Sequence, residues 1–224
     1  MIIIQEYTTK DPISMIGFEA GVCWEADTSN RERNYKRGID CLENEHGRTF
    51  EFPDVYMTID GYSARTIREW YTHIGCLPTR LQASTRYINY QKGFDYVIPP
   101  TIKKNELACA EYQSTMLAIH ESLNRLEKLG VPKEDSAMLL PLGMTTKIVD
   151  KRNLRNLMDM SHQRMCSRAY HEYRKLFNDV CDALRNYSEE WAYLVDNYFE
   201  PKCKYMGFCK EKNSCLMMPK KGGK

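Results

Sequence analysis

Apolar residues recurring at helical spacing between Leu154 and Val180 constrain this 224-residue chain more than any other feature. Leu154, Leu157, Met158, Met165, Ala169, Leu176 and Val180 form one stripe, because side chains three to four residues apart share a face of a helix. The pattern predicts one long helix from about Asn153 to Leu184 that must lie against an apolar surface. Val55, Met57 and Ile59, alternating with Tyr56 and Thr58, supply such a surface as one face of a strand. The apolar start, residues 1–5, and residues 144–149 read as further strands, the second closed by a charged turn at residues 150–152. Residues 12–23 and 30–44 have helical character, and Asn44 to Gly47 breaks the second run. A helix from Glu106 to about Leu129 ends at Gly130 and Pro132, and a last helix spans Ser188 to Tyr198. The expected class is α/β of the α+β type: a central, mostly antiparallel sheet flanked by long helices. The expected organisation is one domain over residues 1–200 and a Cys- and Lys-containing tail over 201–224.

Composition narrows the function classes. With 42% apolar and 28% charged residues the chain has the make-up of a soluble globular protein. A net charge of +2 is too balanced for a dedicated nucleic-acid binder. No apolar run approaches the roughly 20 residues that cross a bilayer, and the start lacks the basic leader of a signal peptide. Nine cysteines, an odd number and mostly scattered through helical segments, fit a reducing compartment. A cytoplasmic protein with no membrane partner is therefore expected. Cys203, Cys209 and Cys215 crowd the tail. A zinc site normally takes four ligands, none other lies close by in the sequence, and no metal is assigned.

From Trp70 to Phe94 there is no Asp or Glu, although the chain carries 30 acids. In their place stand His73, Arg80, Arg86 and Lys92, interleaved with Thr79, Gln82, Ser84 and Thr85. Asp60-Gly61 reads as a turn, Ser63 as the cap of a helix reaching about Ile74, and Gly75 and Pro78 as its end. The acid-free stretch then continues into an extended run at residues 87–90. Guanidinium forks with hydroxyls and an amide suit an anion with polar edges; the plain alternative is a solvated basic loop. Arg164 and Arg168, four residues apart at the border of the stripe, read either as a snorkelling pair or as a second anion-binding edge, with Glu172 placed to neutralise one of them.

Four separated segments carry a resemblance. Ser84-Thr85-Arg86-Tyr87 resembles the Ser-x-Arg-Tyr end of the signature of flavin-dependent thymidylate synthases, which begins Arg-His-Arg. Asn153, Arg155, Leu157, Arg164, Ala169 and Glu172 are similar to that family's Asn-x-Arg-x-Leu … Arg … Ala-x-x-Glu pattern. Leu140-Pro141-Leu142 before a Thr-Lys strand, and Phe50-Glu51 before the central strand, also match, in order, over residues 20–185. The chain departs from the family at Thr72-His73-Ile74, where only the histidine remains, and at the nine-residue gap from Ile74 to Ser84, where the family has seven. Ala137 and Asp159 stand where the family has arginine and asparagine.

The resemblance implies an enzyme that methylates dUMP at C5 to give dTMP. Methylenetetrahydrofolate is the carbon donor, and FAD reduced by NADPH is the hydride source. It implies Arg86 and Ser84 on the nucleotide phosphate with Gln82 and Arg80 assisting, and Arg164 on the uracil edge, where a cation stabilises developing negative charge. It places Glu51, His73, Asn153 and Arg155 along the flavin, joined by Asp159 and Arg168. Ser84 has no histidine nearby in sequence to activate it, which favours binding over nucleophilic attack; Cys76 is the other nucleophile to weigh. The family also implies a homotetramer with sites formed between subunits. The alternatives are a methylase acting on UMP, a non-catalytic flavin or nucleotide sensor, and a nucleic-acid module stacking bases on Tyr87, Tyr90 and Tyr96.

Overall fold

The computed structural model describes residues 1–221. In chain order the elements are β1 (Ile2–Ile4), α1 (Pro12–Cys23), α2 (Arg31–Glu43), β2 (Asp54–Ser63), α3 (Ala64–Trp70) and β3 (Thr79–Gln82). There follow α4 (Pro100–Lys103), α5 (Glu106–Lys128), α6 (Lys133–Ser136), β4 (Thr145–Asn153), α7 (Leu154–Arg164), α8 (His171–Tyr187), α9 (Glu189–Tyr198) and α10 (Lys202–Met206). The strands form one antiparallel sheet in the order β1-β2-β4-β3. The chain divides into two compact units, the first made of Met1–Thr58, Thr72–Arg80 and Val149–Lys224, the second of Ile59–Tyr71 and Leu81–Ile148.

The first unit holds most of the core. Val55 and Met57 of β2, Leu154, Leu157 and Met160 of α7, and Leu176, Phe177, Val180 and Leu184 of α8 are all fully buried. Helices α1 and α2 approach closely through glycines: a Cβ on Gly17 would lie 1.8 Å from the carbonyl oxygen of Asn34, and one on Gly38 would lie 2.0 Å from that of Ile13. Only a residue without a side chain permits that contact.

In the second unit, α5 starts at Asn105, whose side-chain oxygen accepts from the Ala108 amide at 3.0 Å. The Tyr112 hydroxyl of α5 donates to the Val97 carbonyl at 3.1 Å, and its ring meets Tyr96 edge-on. Ser63 caps α3 as expected, accepting from the Thr66 amide at 3.2 Å.

Several expected boundaries move. The single helix over 153–184 is two, because residues 165–170 leave the helical path. Cys166 and Ser167 are weak helix formers, and Met165 and Ala169, assigned to the stripe, are only half-buried. The predicted turn at Asp60-Gly61 lies inside β2: Gly61 takes φ +81° and shifts the alternation by one, so that Tyr62 and Ser63 are both buried. Helix α3 ends at Trp70, four residues before Ile74. Residues 87–90 form no strand; the extended segment is β3, inside the acid-free stretch. The charged turn expected at 150–152 is instead the last part of β4, with Asp150 and Arg152 buried. Among the described residues no helix is long and apolar enough to cross a membrane.

Candidate active site

The local chemistry of the first unit begins with a buried polar network. Arg152 donates to Asp150 through Nε and Nη2, the second at 2.8 Å. Its Nη1 donates to Asn156 Oδ1 at 2.5 Å. Asn156 Nδ2 in turn donates to the carbonyl of Gly75 at 2.7 Å. A guanidinium this deep needs all of these acceptors, since an uncompensated buried charge is costly. The network fastens the segment 72–80 to the first turn of α7. Asn153, just before α7, accepts from the Asn156 amide at 3.0 Å and caps the helix.

That fastening brings His73 to Arg164. The guanidinium Nε of Arg164 donates to His73 Nε2 at 2.8 Å, and its central carbon stands 4.2 Å from the ring centre of Tyr173. Burial first, and then the charges of Arg164 and Arg152, push the His73 pKa down to about 4. The ring is therefore neutral near pH 7, with Nε2 open as an acceptor. At the other end of α7, Arg155 Nη1 donates to Glu51 Oε1 at 2.6 Å, and Arg48 pairs with the second oxygen of Glu51 at 3.3 Å. Asp159 is exposed on α7 and lines a cavity of about 570 Å³ with Arg155, Phe50 and Tyr198. Arg80 is the second residue of β3 and is half-buried.

A second cavity, also about 570 Å³, is lined by Arg164, Arg168, Lys202, Cys166, Cys203 and Cys209 among others. Arg168 is exposed in the 165–170 segment and does not share a helix face with Arg164. The thiol of Cys203 is pushed up by burial and by neighbouring Cys209, Cys166 and Cys215. The tail thiols therefore gather with Cys166, a residue 37 positions before Cys203 that sequence spacing could not connect to them. Among the described residues no group of three His, Cys, Asp or Glu side chains is arranged to hold a metal ion. Cys76, half-buried and in a left-handed conformation at φ +56°, has its thiol pushed up by burial and by Glu51, which disfavours the thiolate.

The second unit carries three of the phosphate candidates, Gln82 at the end of β3 and Ser84 and Arg86 in the segment after it. Gln82 Nε2 donates to Thr146 Oγ1 at 3.3 Å, Ser84 Oγ accepts from the Arg86 amide at 3.4 Å, and Arg86 Nε donates to Glu134 at 2.8 Å. The acid-free stretch thus finds its acid on α6, some fifty residues further along the chain. Arg86 and Glu134 are both well exposed, and such pairs contribute at most about 1 kcal/mol. Sequence reasoning missed Asp150, Arg152, Asn156 and Tyr173. The one available signal for the first three was charge and amide within a run otherwise ready to be a strand and a helix start.

The fold places the chain in a class first. It superposes with a TM-score of 0.69 on the flavin-dependent thymidylate synthase ThyX of Helicobacter pylori complexed with FAD and dUMP, at 19% identity, over 89% of this chain and 99% of that one. The helix-flanked sheet is thus the ThyX fold. The sequence model of the family described as "Thymidylate synthase complementing protein" matches residues 4–188, and the chain belongs to that family. Its relatives include the flavin-dependent thymidylate synthase of Pyrococcus furiosus, 28% identical over 94% of this chain and 89% of that protein. The enzyme of the same name from Nitratidesulfovibrio vulgaris is 26% identical over 91% of this chain and 88% of its own length.

Proposed function

We propose that the chain is a flavin-dependent thymidylate synthase that converts dUMP to dTMP by reductive methylation at C5. Methylenetetrahydrofolate is the carbon donor, and FAD reduced by NADPH is the hydride source. The observation that carries this reading is the family match over residues 4–188, which encloses Glu51, His73, the 84–87 turn, Asn153, Arg155 and Arg164 in the family's order.

The donor set fits FAD. Arg155, Asn153 and His73 offer a guanidinium, an amide and an imidazole on segments gathered around α7. Arg168, with no ion-pair partner among the described residues, suits a pyrophosphate. Asp159 completes the polar edge. Bound flavin supplies the hydride. The chain's own residues bind and orient. Arg164 donates to the uracil carbonyl edge and stabilises negative charge as C5 becomes nucleophilic. Arg86, released from its exposed pair with Glu134, takes the phosphate with Ser84, Gln82 and Arg80. Ser84 binds and does not attack.

The enzyme works as a homotetramer with sites shared between subunits, a reading supported by the apolar side chains that α5 leaves exposed, Leu107 at 84% and Leu117 at 57%. A cytoplasmic location accords with cysteines that are all free. The test is a visible spectrum of the purified protein, followed by dTMP formation from dUMP, NADPH and the folate. Flavin absorption bands and dTMP are expected. A colourless protein that binds no added FAD and makes no dTMP overturns the reading, and product from UMP but not dUMP moves it to the ribonucleotide.

A further inference from the structure

Arg164 is gripped on two sides by residues of its own unit. His73 Nε2 accepts its Nε–H at 2.8 Å, and the Tyr173 ring lies under its guanidinium with 4.2 Å between the central carbon and the ring centre. The two gripping groups also touch each other: the His73 and Tyr173 rings meet edge-on, 6.1 Å apart at 63°. Tyr173 is fully buried, one turn before Leu176 and Phe177, which are fully buried as well. Its ring cannot swing aside without opening the core. His73 is held in turn by the Asn156–Gly75 hydrogen bond two residues further along its segment.

An arginine side chain has four rotatable bonds and a planar fork of five N–H donors. A ring face fixes the plane of that fork. An acceptor on Nε fixes its rotation within the plane. Together they aim the Nη pair, the part of the fork His73 does not engage, in one direction. A donor pre-aimed at a planar carbonyl edge avoids the reorientation a loose arginine would undergo as charge develops.

We propose that Tyr173 and His73 are positioning residues that lock Arg164 in the orientation in which it meets the uracil ring. The uracil as ligand rests on the proposed thymidylate synthase reading; the lock itself does not. Tyr173 acts through its ring face, so Tyr173→Phe keeps the function and Tyr173→Leu loses it. A cation–π contact of this closeness corresponds to a roughly tenfold effect. Because the contact serves the developing charge, the loss falls on kcat and leaves KM for dUMP nearly unchanged.

The experiment reads both levels. Steady-state dTMP formation is measured for the flavin-loaded wild type, Tyr173→Phe and Tyr173→Leu. In parallel, ¹⁵N–¹H spectra of ¹⁵N-arginine-labelled protein follow the Arg164 Nε–H, assigned by its disappearance in Arg164→Lys. The expected wild-type resonance is slow to exchange and displaced by the ring current of Tyr173. Tyr173→Leu removes the displacement, Tyr173→Phe retains it, and His73→Ala restores fast exchange. The expected kinetics are a kcat about tenfold lower in Tyr173→Leu and at least half of wild type in Tyr173→Phe. A resonance indifferent to Tyr173→Leu and His73→Ala overturns the lock, whatever the turnover. A normal kcat in Tyr173→Leu with the resonance changed overturns the positioning role. If the wild type makes no dTMP while the resonance behaves as described, the functional reading fails and the lock stands. Should Tyr173→Leu not fold, the exchange rate in His73→Ala still decides the lock.

Discussion

Helices α8 and α5 carry apolar residues at similar spacing but spend them differently. Of the 17 residues of α8, Tyr173, Leu176, Phe177, Val180, Cys181 and Leu184 are buried together with Glu172. Of the 23 residues of α5, only Met116 and Leu123 are. The stripe of α8 is satisfied inside its own unit. The stripe of α5 is not, and the same unit also leaves Leu129 79% and Met138 86% exposed. Single apolar residues on a surface are ordinary, and α5 itself exposes two large ones, Leu107 and Leu117, the residues on which the proposed contact between subunits rests. Hydrophobic periodicity therefore marks an apolar face, not what lies against it.

The sharpest way to break the contrast is to strike the interior of the first unit. Asp150→Ala strands Arg152 in a fully buried position, and loss of one partner of a buried pair costs about 3–5 kcal/mol. Urea unfolding followed by circular dichroism should show that loss; a change under 1 kcal/mol would mean the network is not needed. The corresponding blow to α5 should leave the fold standing. Leu107→Lys with Leu117→Lys is expected to lower the oligomeric state in sedimentation velocity while the far-ultraviolet spectrum is unchanged, with about 1.5–3 kcal/mol lost per buried leucine. An unaltered sedimentation coefficient would count against the covered face.

Acid separates the regions further. His73 has its pKa lowered in the folded state to about 4 from an ordinary 6.5, so the unfolded chain binds the extra proton first. The stabilisation from its neutral form is complete above pH 6.5 and is lost as pH falls towards 4, where the imidazolium would face Arg164 and Arg152. His162, also lowered by burial, adds to the same slope. The His73→Gln variant should therefore show a shallower loss of melting temperature between pH 6.5 and 4 than the wild type; parallel curves would deny the shift. The smallest effect is expected in the second unit. Arg86→Lys, at an exposed pair, should change stability by less than about 1 kcal/mol, yet raise KM for dUMP because a lysine cannot grip phosphate bidentately. An unchanged KM would remove Arg86 from the phosphate.

Much of this was readable from the chain. The strand at Val55, Met57 and Ile59, the cap at Ser63, and the helices over 12–23, 106–128 and 189–198 follow from local periodicity and punctuation. The motif segments were readable because their residue types recur at fixed spacing. What escaped was set by tertiary partners. Asp150 and Arg152 look like a solvated turn until one sees that each is the other's counterion and that Asn156 supplies a further acceptor. Glu134 answers Arg86 across 48 residues, and Cys166 joins the tail thiols, with no local trace of either. The break at residues 165–170 was hidden because two shorter stripes, one on each helix, run on as if they were one.

The amide of Asn156, holding the backbone at Gly75, sets a boundary within the acid-free stretch. Upstream of that anchor the spacing to His73 is short and must be kept. Downstream, residues 76–78 lie outside any strand or helix, with Leu77 90% exposed, and β3 (Thr79–Gln82) then returns the chain to the sheet. A change of length confined to those three residues would touch neither the anchor nor the sheet, and the imidazole and its arginine would stay in register.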